Sequence, residues 1–329
     1  MTAYRKELDV ALDAVKRAVS VCRHAVESIS QMKAIEKEDR SPVTVADFAV
    51  QAIVCRILRQ AFPGEAIVGE EKPEILQKHP DTGRQILNLL RHRSEIDSLQ
   101  DIIEAVGSAA GEPDSGKRFW TIDPIDGTKG FLRGDQYCVA LALVDRGRVV
   151  LGVLGCPNFP ESPSRPEKVG CIFYAVKGGG SRMLPLENGA ARSIAVDSVS
   201  GPEEARICES LESRHASHEV HMQISKRLGI RKPPIRIDSQ VKYAAVARGE
   251  ASIYLRLPRE SAYREKIWDH AAGAIIVEEA GGQVTDFKGN PIDFSAGRML
   301  RNNRGIVATN GHLHTVVLEA IESIVKPPE

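Results

Sequence analysis

Three groups of acids fall where strands should end or a helix should begin: Glu70 and Glu71, Asp123 and Asp126, and Asp269. Carboxylates leaving element ends can converge without being buried in an apolar face, and gathered together they repel one another unless cations neutralise them. Hard divalent ions take oxygen ligands, and magnesium suits chemistry on phosphate. In Asp123-Pro124-Ile125-Asp126-Gly127-Thr128 the proline is expected to stop the strand, so that both acids face one point. Gly127 and Thr128 then offer backbone N–H groups to phosphate oxygens at the start of the next segment. No serine or cysteine sits in a nucleophile motif, which leaves water as the expected attacking group.

Each of these residues also has a plainer reading. Thr44-x-x-Asp47 fits a capping box, and Asp269 fits a simple helix N-cap. Glu71 reads as a supporting or solvated carboxylate, and Lys242 and Arg256 on their own read as surface charges. His215, His218 and His221 have the spacing of a solvated patch, and Gly178-Gly179-Gly180 that of a tight turn, since no phosphate-loop pattern follows. Trp120 and Trp268 precede acids and are expected to pack and fix them.

The elements that must position these groups follow from periodicity. Apolar residues at three- and four-residue steps predict helices over 3–31 and 46–61, the second stopping at Pro63-Gly64. Short strands are expected at 66–69 and 118–123, then at 137–145 and 148–155 around Arg146-Gly147. Residues 72–118 read as an irregular peripheral excursion with one helix at 97–107. Prolines at 157, 160, 163 and 166 mark the expected boundary between an α+β lobe, 1–157, and an α/β lobe, 158–329. In the second lobe, strands near 171–176, 206–210, 235–238 and 251–257 alternate with helices near 217–228, 240–248 and 269–280.

Composition narrows the partners. The 329 residues carry 44 basic and 44 acidic side chains, so no global field favours nucleic acid or an anionic membrane. No stretch is apolar enough for a membrane span, and the first residues lack a signal peptide's apolar core, so a cytoplasmic location is expected, with nucleus or organelle left open. Six scattered cysteines without C-x-x-C spacing read as buried free thiols, arguing against zinc or a redox dithiol.

Taken in order, Pro42-Val43-Thr44-Val45-Ala46-Asp47, Val68-Gly69-Glu70-Glu71, Trp120 to Phe131 and Trp268-Asp269-His270-Ala271-Ala272-Gly273 resemble the lithium-sensitive, magnesium-dependent phosphatases related to inositol monophosphatase. Gly127 to Gln136, Ile237-Asp238-Ser239-Gln240-Val241-Lys242-Tyr243, Tyr254 to Pro258 and Tyr263 to His270 resemble the bisphosphate nucleotidase branch. The resemblance implies a layered αβαβα sandwich of the sugar-phosphatase type, with most metal ligands in the first lobe and Asp269 and the nucleotide contacts in the second. It implies Glu70, Asp123, the Ile125 carbonyl, Asp126 and Asp269 as ligands of two or three Mg2+ ions, and Asp47 with Thr128 as the pair activating water. Gly127, Thr128, His218, Ser239, Lys242 and Arg256 would touch substrate, Lys242 and Arg256 at a second anionic group. The implied reaction removes the 3'-phosphate of adenosine 3',5'-bisphosphate, giving AMP and phosphate, or that of 3'-phosphoadenylyl sulfate, with inhibition by lithium. An inositol phosphate 1-phosphatase and a non-catalytic sensor of the bisphosphate are the alternatives. The expected partner is this small molecule alone, bound by a monomer, with no nucleic acid or membrane.

Overall fold

The computed structural model describes residues 4–27, 35–36, 42–78, 80–91, 93–114, 116–211, 218–257 and 263–325. Helix α1, Arg5–Glu27, buries Ala11, Ala14, Val15, Ala18, Cys22 and Ala25 along one stripe, as the periodicity requires. A small antiparallel pair, β1 (Ile35–Glu36) and β2 (Pro42–Val43), leads to α2, Val45–Ala61. Both helices pack on one face of a seven-stranded sheet. Its strands in spatial order are β3 (Ala66–Gly69), β4 (Arg118–Asp126), β5 (Cys138–Asp145), β6 (Arg148–Ser162), β7 (Arg165–Val176), β8 (Ser181–Pro185) and β9 (Arg192–Ile194). The pair β3 and β4 is parallel and the remaining pairs are antiparallel. Both faces of the central strands are covered, so β5 reads as a continuous apolar run from Cys138 to Val144.

The second sheet runs β11 (Ile235–Arg236), β10 (Ile207–Glu209), β12 (Ile253–Arg256), β14 (Ile306–Thr309), β13 (Gln283–Thr285). Between the sheets lie α8 (Val241–Ala247) and α9 (Ala271–Glu279), α9 touching β5, β6 and β7 on one side and β13 and β14 on the other. Every residue of α9 from Ala271 to Val277 is buried. The close approach of α8 and α9 demands Gly273, because a Cβ there would meet the Tyr243 ring at 2.2 Å. Outside the second sheet, α7 (His218–Leu228) packs against α10 (His314–Ile324). Five layers result, the αβαβα sandwich that the motifs led us to expect.

Several local expectations fail for identifiable reasons. Residues 72–118 hold α3 (Glu74–Lys78) and α4 (Pro80–Leu90) as well as α5 (Leu99–Gly107). Pro80 and Gly83 hide α4 from a pattern search, yet a proline in the first turn gives up only an N–H that has no helical partner, and Ile86, Leu89 and Leu90 are buried. Pro124 does not stop β4; the strand continues to Asp126 through a register shift between Asp123 and Asp126. The proline-rich segment is a long hairpin of β6 and β7, irregular in register around Pro160, so the boundary expected at 157/158 falls inside a strand and the first sheet runs on to Ile194. Beyond residue 280 no element was expected, although β13, β14 and α10 form there. Residues 3, 28–31, 215 and 217 lie outside the described residues, as does Pro258.

Candidate active site

The first sheet supplies three acids through backbone geometry. Glu70 follows β3 directly, and Gln51 of α2 pins the next residue by two bonds: Nε2 donates to the Glu71 carbonyl at 2.8 Å, and the Glu71 N–H donates to Oε1 at 2.9 Å. Gln51 was not anticipated; its only signal is a polar residue one turn after Asp47 in a largely apolar helix. Gly69 has no alternative here, since a Cβ would stand 2.6 Å from Gln51 Oε1. Strand β4 carries Asp123, Ile125 and Asp126 on either side of its bulge. Asp123 is buried, and its Oδ1 has no hydrogen-bond partner among the described residues. Trp120, as expected, is packed away, with its Nε1 donating to Glu65 at 2.8 Å.

The central layer supplies the fourth acid. Asp269 ends a 3-10 turn, Ile267–Asp269, and the cap position of α9 is taken by His270, so the N-cap reading of Asp269 is set aside. Gln240, quoted in a motif but given no role by the sequence reading, joins the two halves. Its backbone N–H donates to Asp126 Oδ2 at 2.6 Å, its Nε2 to the Trp268 carbonyl at 2.9 Å, and its Oε1 accepts from Gly273 N at 3.0 Å. The chain reaches this position through Ser239, held at φ +67°, a left-handed conformation that a side chain adopts at a cost of about 1 kcal/mol. Opposite it Gly127 sits at φ +90°, and a Cβ there would lie 3.1 Å from that of Ser239. Ser239 Oγ accepts from Val241 N at 3.3 Å, close to the capping role expected of it, although the helix itself starts at Val241.

The electrostatics follow from this convergence. Burial first, then the charges of Glu70, Asp126 and Asp269, pushes Asp123 well above the usual carboxylate range. Asp126 is raised by burial against the opposing pull of Lys242, and Asp269 is raised well above by burial against that of Arg256. Lys242 and Arg256 set two positive charges against the five carboxylates of Glu70, Asp123, Asp126, Glu265 and Asp269. A buried acid with an unpartnered oxygen inside a surplus of negative charge fits divalent cations with oxygen ligands.

Lys242 is buried, with Nζ donating to the carbonyls of Ser239 at 2.7 Å and Ile237 at 3.3 Å. Arg256 gives Nε to Glu265 at 2.8 Å and reaches Asp269 at 3.6 Å. Neither is the surface charge that its residue type alone suggests. Glu265 and His270 were also given no role by the sequence reading. His270 Nε2 meets Glu265 at 3.1 Å and its Nδ1 meets the Tyr243 hydroxyl at 2.8 Å. Because Glu265 only accepts, the ring proton belongs on Nε2, and Tyr243 donates to Nδ1. Burial lowers the His270 pKa against the opposing pull of Glu265. Ligand atoms of Glu265, Asp269 and His270 lie within 4.8 Å of one another, but Glu265 and His270 are engaged with each other, Arg256 and Tyr243 on the flank of the acids.

Asp47 and Thr128 have local partners. Asp47 Oδ2 accepts from Thr44 N at 2.8 Å and Thr44 Oγ1 at 2.7 Å, so the capping box is real. Thr128 opens α6 (Thr128–Arg133) and donates to the Ile125 carbonyl at 3.2 Å. Helix α6 lies against β2, the strand that leads into Thr44. His218 lies farther out, at the start of α7, with Nδ1 3.2 Å from Glu209. His221, expected in a solvated patch, is instead buried with Ile224 on the inner face of α7, 3.0 Å from the same carboxylate, which also holds Arg236. A cavity of about 490 Å³ opens beside Ser239, lined by Gly134, Asp135, Gln136, Arg236, Ile237 and Asp238 among others. All six cysteines are free and buried. No described helix is long and apolar enough to cross a membrane.

The sequence pattern of the inositol monophosphatase family matches residues 4–326. A 3'(2'),5'-bisphosphate nucleotidase of Oryza sativa is 42% identical, aligned over 98% of this chain and 95% of that protein. The proteins of that name from Schizosaccharomyces pombe and Dictyostelium discoideum are 38% and 42% identical, covering 98% and 96% of this chain and 96% of each relative. Among solved structures, the extragenic suppressor protein suhB of Bartonella henselae superimposes with a TM-score of 0.68 at 20% identity, covering 97% of this chain and 99% of that one. An IMPase of Thermotoga maritima gives 0.68 at 24%, covering 97% and 98%. At such identities the two structures speak to the fold.

Proposed function

The chain belongs to the inositol monophosphatase family, and on that premise we propose that it is a metal-dependent phosphatase acting as a 3'(2'),5'-bisphosphate nucleotidase. The observation that carries this reading is the meeting of Glu70, Asp123, Asp126 and Asp269, drawn from distant parts of the chain, in one surplus of negative charge. Glu70, Asp123, the Ile125 carbonyl, Asp126 and Asp269 would hold Mg2+. When bound, such ions acidify water and neutralise the departing ribose oxygen.

The chain's own residues do the rest. Thr128 orients the attacking water through its hydroxyl, and Asp47, fixed by its capping bonds, takes the proton. The backbone N–H groups of Gly127 and Thr128 hold phosphate oxygens; α6 is short, so these amides matter more than its dipole. Water displaces the 3'-oxygen in line, releasing phosphate and AMP with no phosphoenzyme. The cavity lined by Gln136, Arg236 and Asp238 has room for the nucleoside, and His218 and Arg256 would complete the contacts to substrate. Lys242 supports the Ser239 loop from behind while adding positive charge near Asp126.

Phosphate release from adenosine 3',5'-bisphosphate, 3'-phosphoadenylyl sulfate and inositol 1-phosphate, each with and without Mg2+, tests the reading. The nucleotides are expected to lead and Mg2+ to be required. Faster release from inositol 1-phosphate assigns the site to inositol phosphates, and nucleotide binding with no release makes it a sensor.

A further inference from the structure

Arg298 connects the two halves of the acid cluster without belonging to it. Its Nη1 donates to the carbonyls of Gly111 at 2.9 Å and Ala109 at 3.4 Å, and its Nη2 donates to the carbonyl of Gly69. Its guanidinium carbon lies 4.8 Å from the centroid of the Trp268 ring. Its own carbonyl accepts from Ile267 N at 3.1 Å, and the next residue, Met299, bridges to Lys266. Gly69 immediately precedes Glu70, and Trp268 immediately precedes Asp269. One side chain therefore grips the residues just before two acids that reach the cluster from different layers.

The grip is stiff at both ends. Gly69 N also donates to the Ala109 carbonyl at 2.9 Å, so Arg298, Ala109 and Gly69 close a small ring of bonds around the turn that leads to Glu70. Trp268 is held by its ring against Arg298 and by its carbonyl on Gln240. Arginine suits this position because its planar fork reaches diverging carbonyls while its face lies on an indole; lysine would keep the charge and lose both.

We propose that Arg298 is a positioning residue that fixes the spacing between Glu70 and Asp269 and thereby sets how tightly the site holds a divalent cation. The inference rests on the reading of these acids as metal ligands. Mn2+ binding, followed by the loss of its free-ion electron paramagnetic resonance signal, tests it in wild type, Arg298→Lys, Arg298→Met and Asp123→Asn, alongside thermal midpoints and the Mg2+ dependence of turnover. Both Arg298 variants are expected to bind Mn2+ at least about 10-fold more weakly, with half-saturating Mg2+ raised to match and substrate KM at saturating metal within about twofold. Arg298→Lys decides the matter if Arg298→Met does not fold. Wild-type Mn2+ affinity in Arg298→Lys, with only a lower thermal midpoint or a lower kcat, overturns the proposal and leaves the metal site standing. Wild type that binds no Mn2+, or Asp123→Asn that binds it equally well, overturns the metal reading and this proposal with it.

Discussion

Glu265 and Glu209 hold nearly the same company in different surroundings. Glu265 takes Arg256 Nε at 2.8 Å and His270 at 3.1 Å; Glu209 takes Arg236 Nε at 3.0 Å, His221 at 3.0 Å and His218 at 3.2 Å. In both, burial pushes the carboxyl up, the cationic and hydrogen-bonding neighbours outweigh it, and the acid is held down at about 2. What differs is the next neighbour. The arginine of Glu265 is only 15% exposed in its side chain and leans on Asp269, whereas that of Glu209 is 56% exposed and lies at the rim of a cavity. The same pairing is thus a support for the charge balance of the acid cluster in one place and a clamp on the edge of the outer sheet in the other. Residue type and pKa shift do not distinguish these roles; enclosure and the neighbour beyond do.

The sharpest way to break this comparison is Arg256→Met. It strips a cation from two acids at once, so a fall in turnover of more than about 100-fold and a loss of about 3 kcal/mol of stability are expected, read by phosphate release and urea unfolding. Glu265→Gln comes next: a buried arginine loses its counter-charge, costing about 3 kcal/mol and about 10- to 100-fold in turnover. Glu209→Gln, whose arginine partner is open to solvent, should cost about 1 kcal/mol and leave kcat within about twofold. Equal losses of kcat from the two glutamine variants would erase the distinction.

Acid sharpens it further. A glutamate with an ordinary pKa of about 4.3 that folding lowers to about 2 stabilises the protein fully above pH ~4.3 and loses that contribution as pH falls toward 2. Urea midpoints measured from pH 5 to pH 2.5 should therefore fall less steeply in either glutamine variant than in wild type. The smallest effect is expected from Tyr243→Phe, which removes the donor to His270 Nδ1 and should cost about 1 kcal/mol with kcat nearly unchanged.

The sequence exposed the two halves of the site unequally. Glu70, Asp123, Asp126 and Asp269 stood out because acids beside glycine, proline and strand ends leave a local signature, and the layered sandwich followed from motifs spread along the chain. The network around Glu265 did not stand out, because its bonds join Tyr243, Arg256 and His270 across separate elements and no spacing rule encodes them. Lys242 shows the opposite failure: a lysine in a ligand-like motif suggests an exposed contact, yet its four-carbon stem carries the ammonium back under the Ser239 loop. Helix α4 lay in a stretch read as irregular, and the outer part of the β6–β7 hairpin in one whose prolines were read as a lobe boundary, although the ladder only becomes irregular there. Gln240 and Arg298 bond mainly to backbone carbonyls and amides, which every residue possesses, so residue type gives no sign of their partners.

The most direct test of the central claim is a crystal of the protein grown with Mn2+ and AMP, with diffraction recorded at the manganese absorption edge. Anomalous peaks between Glu70, Asp123, the Ile125 carbonyl, Asp126 and Asp269, with Arg256 still on Glu265, are the predicted result. Peaks confined to other parts of the molecule, or those acids pointing away from every peak, would contradict it.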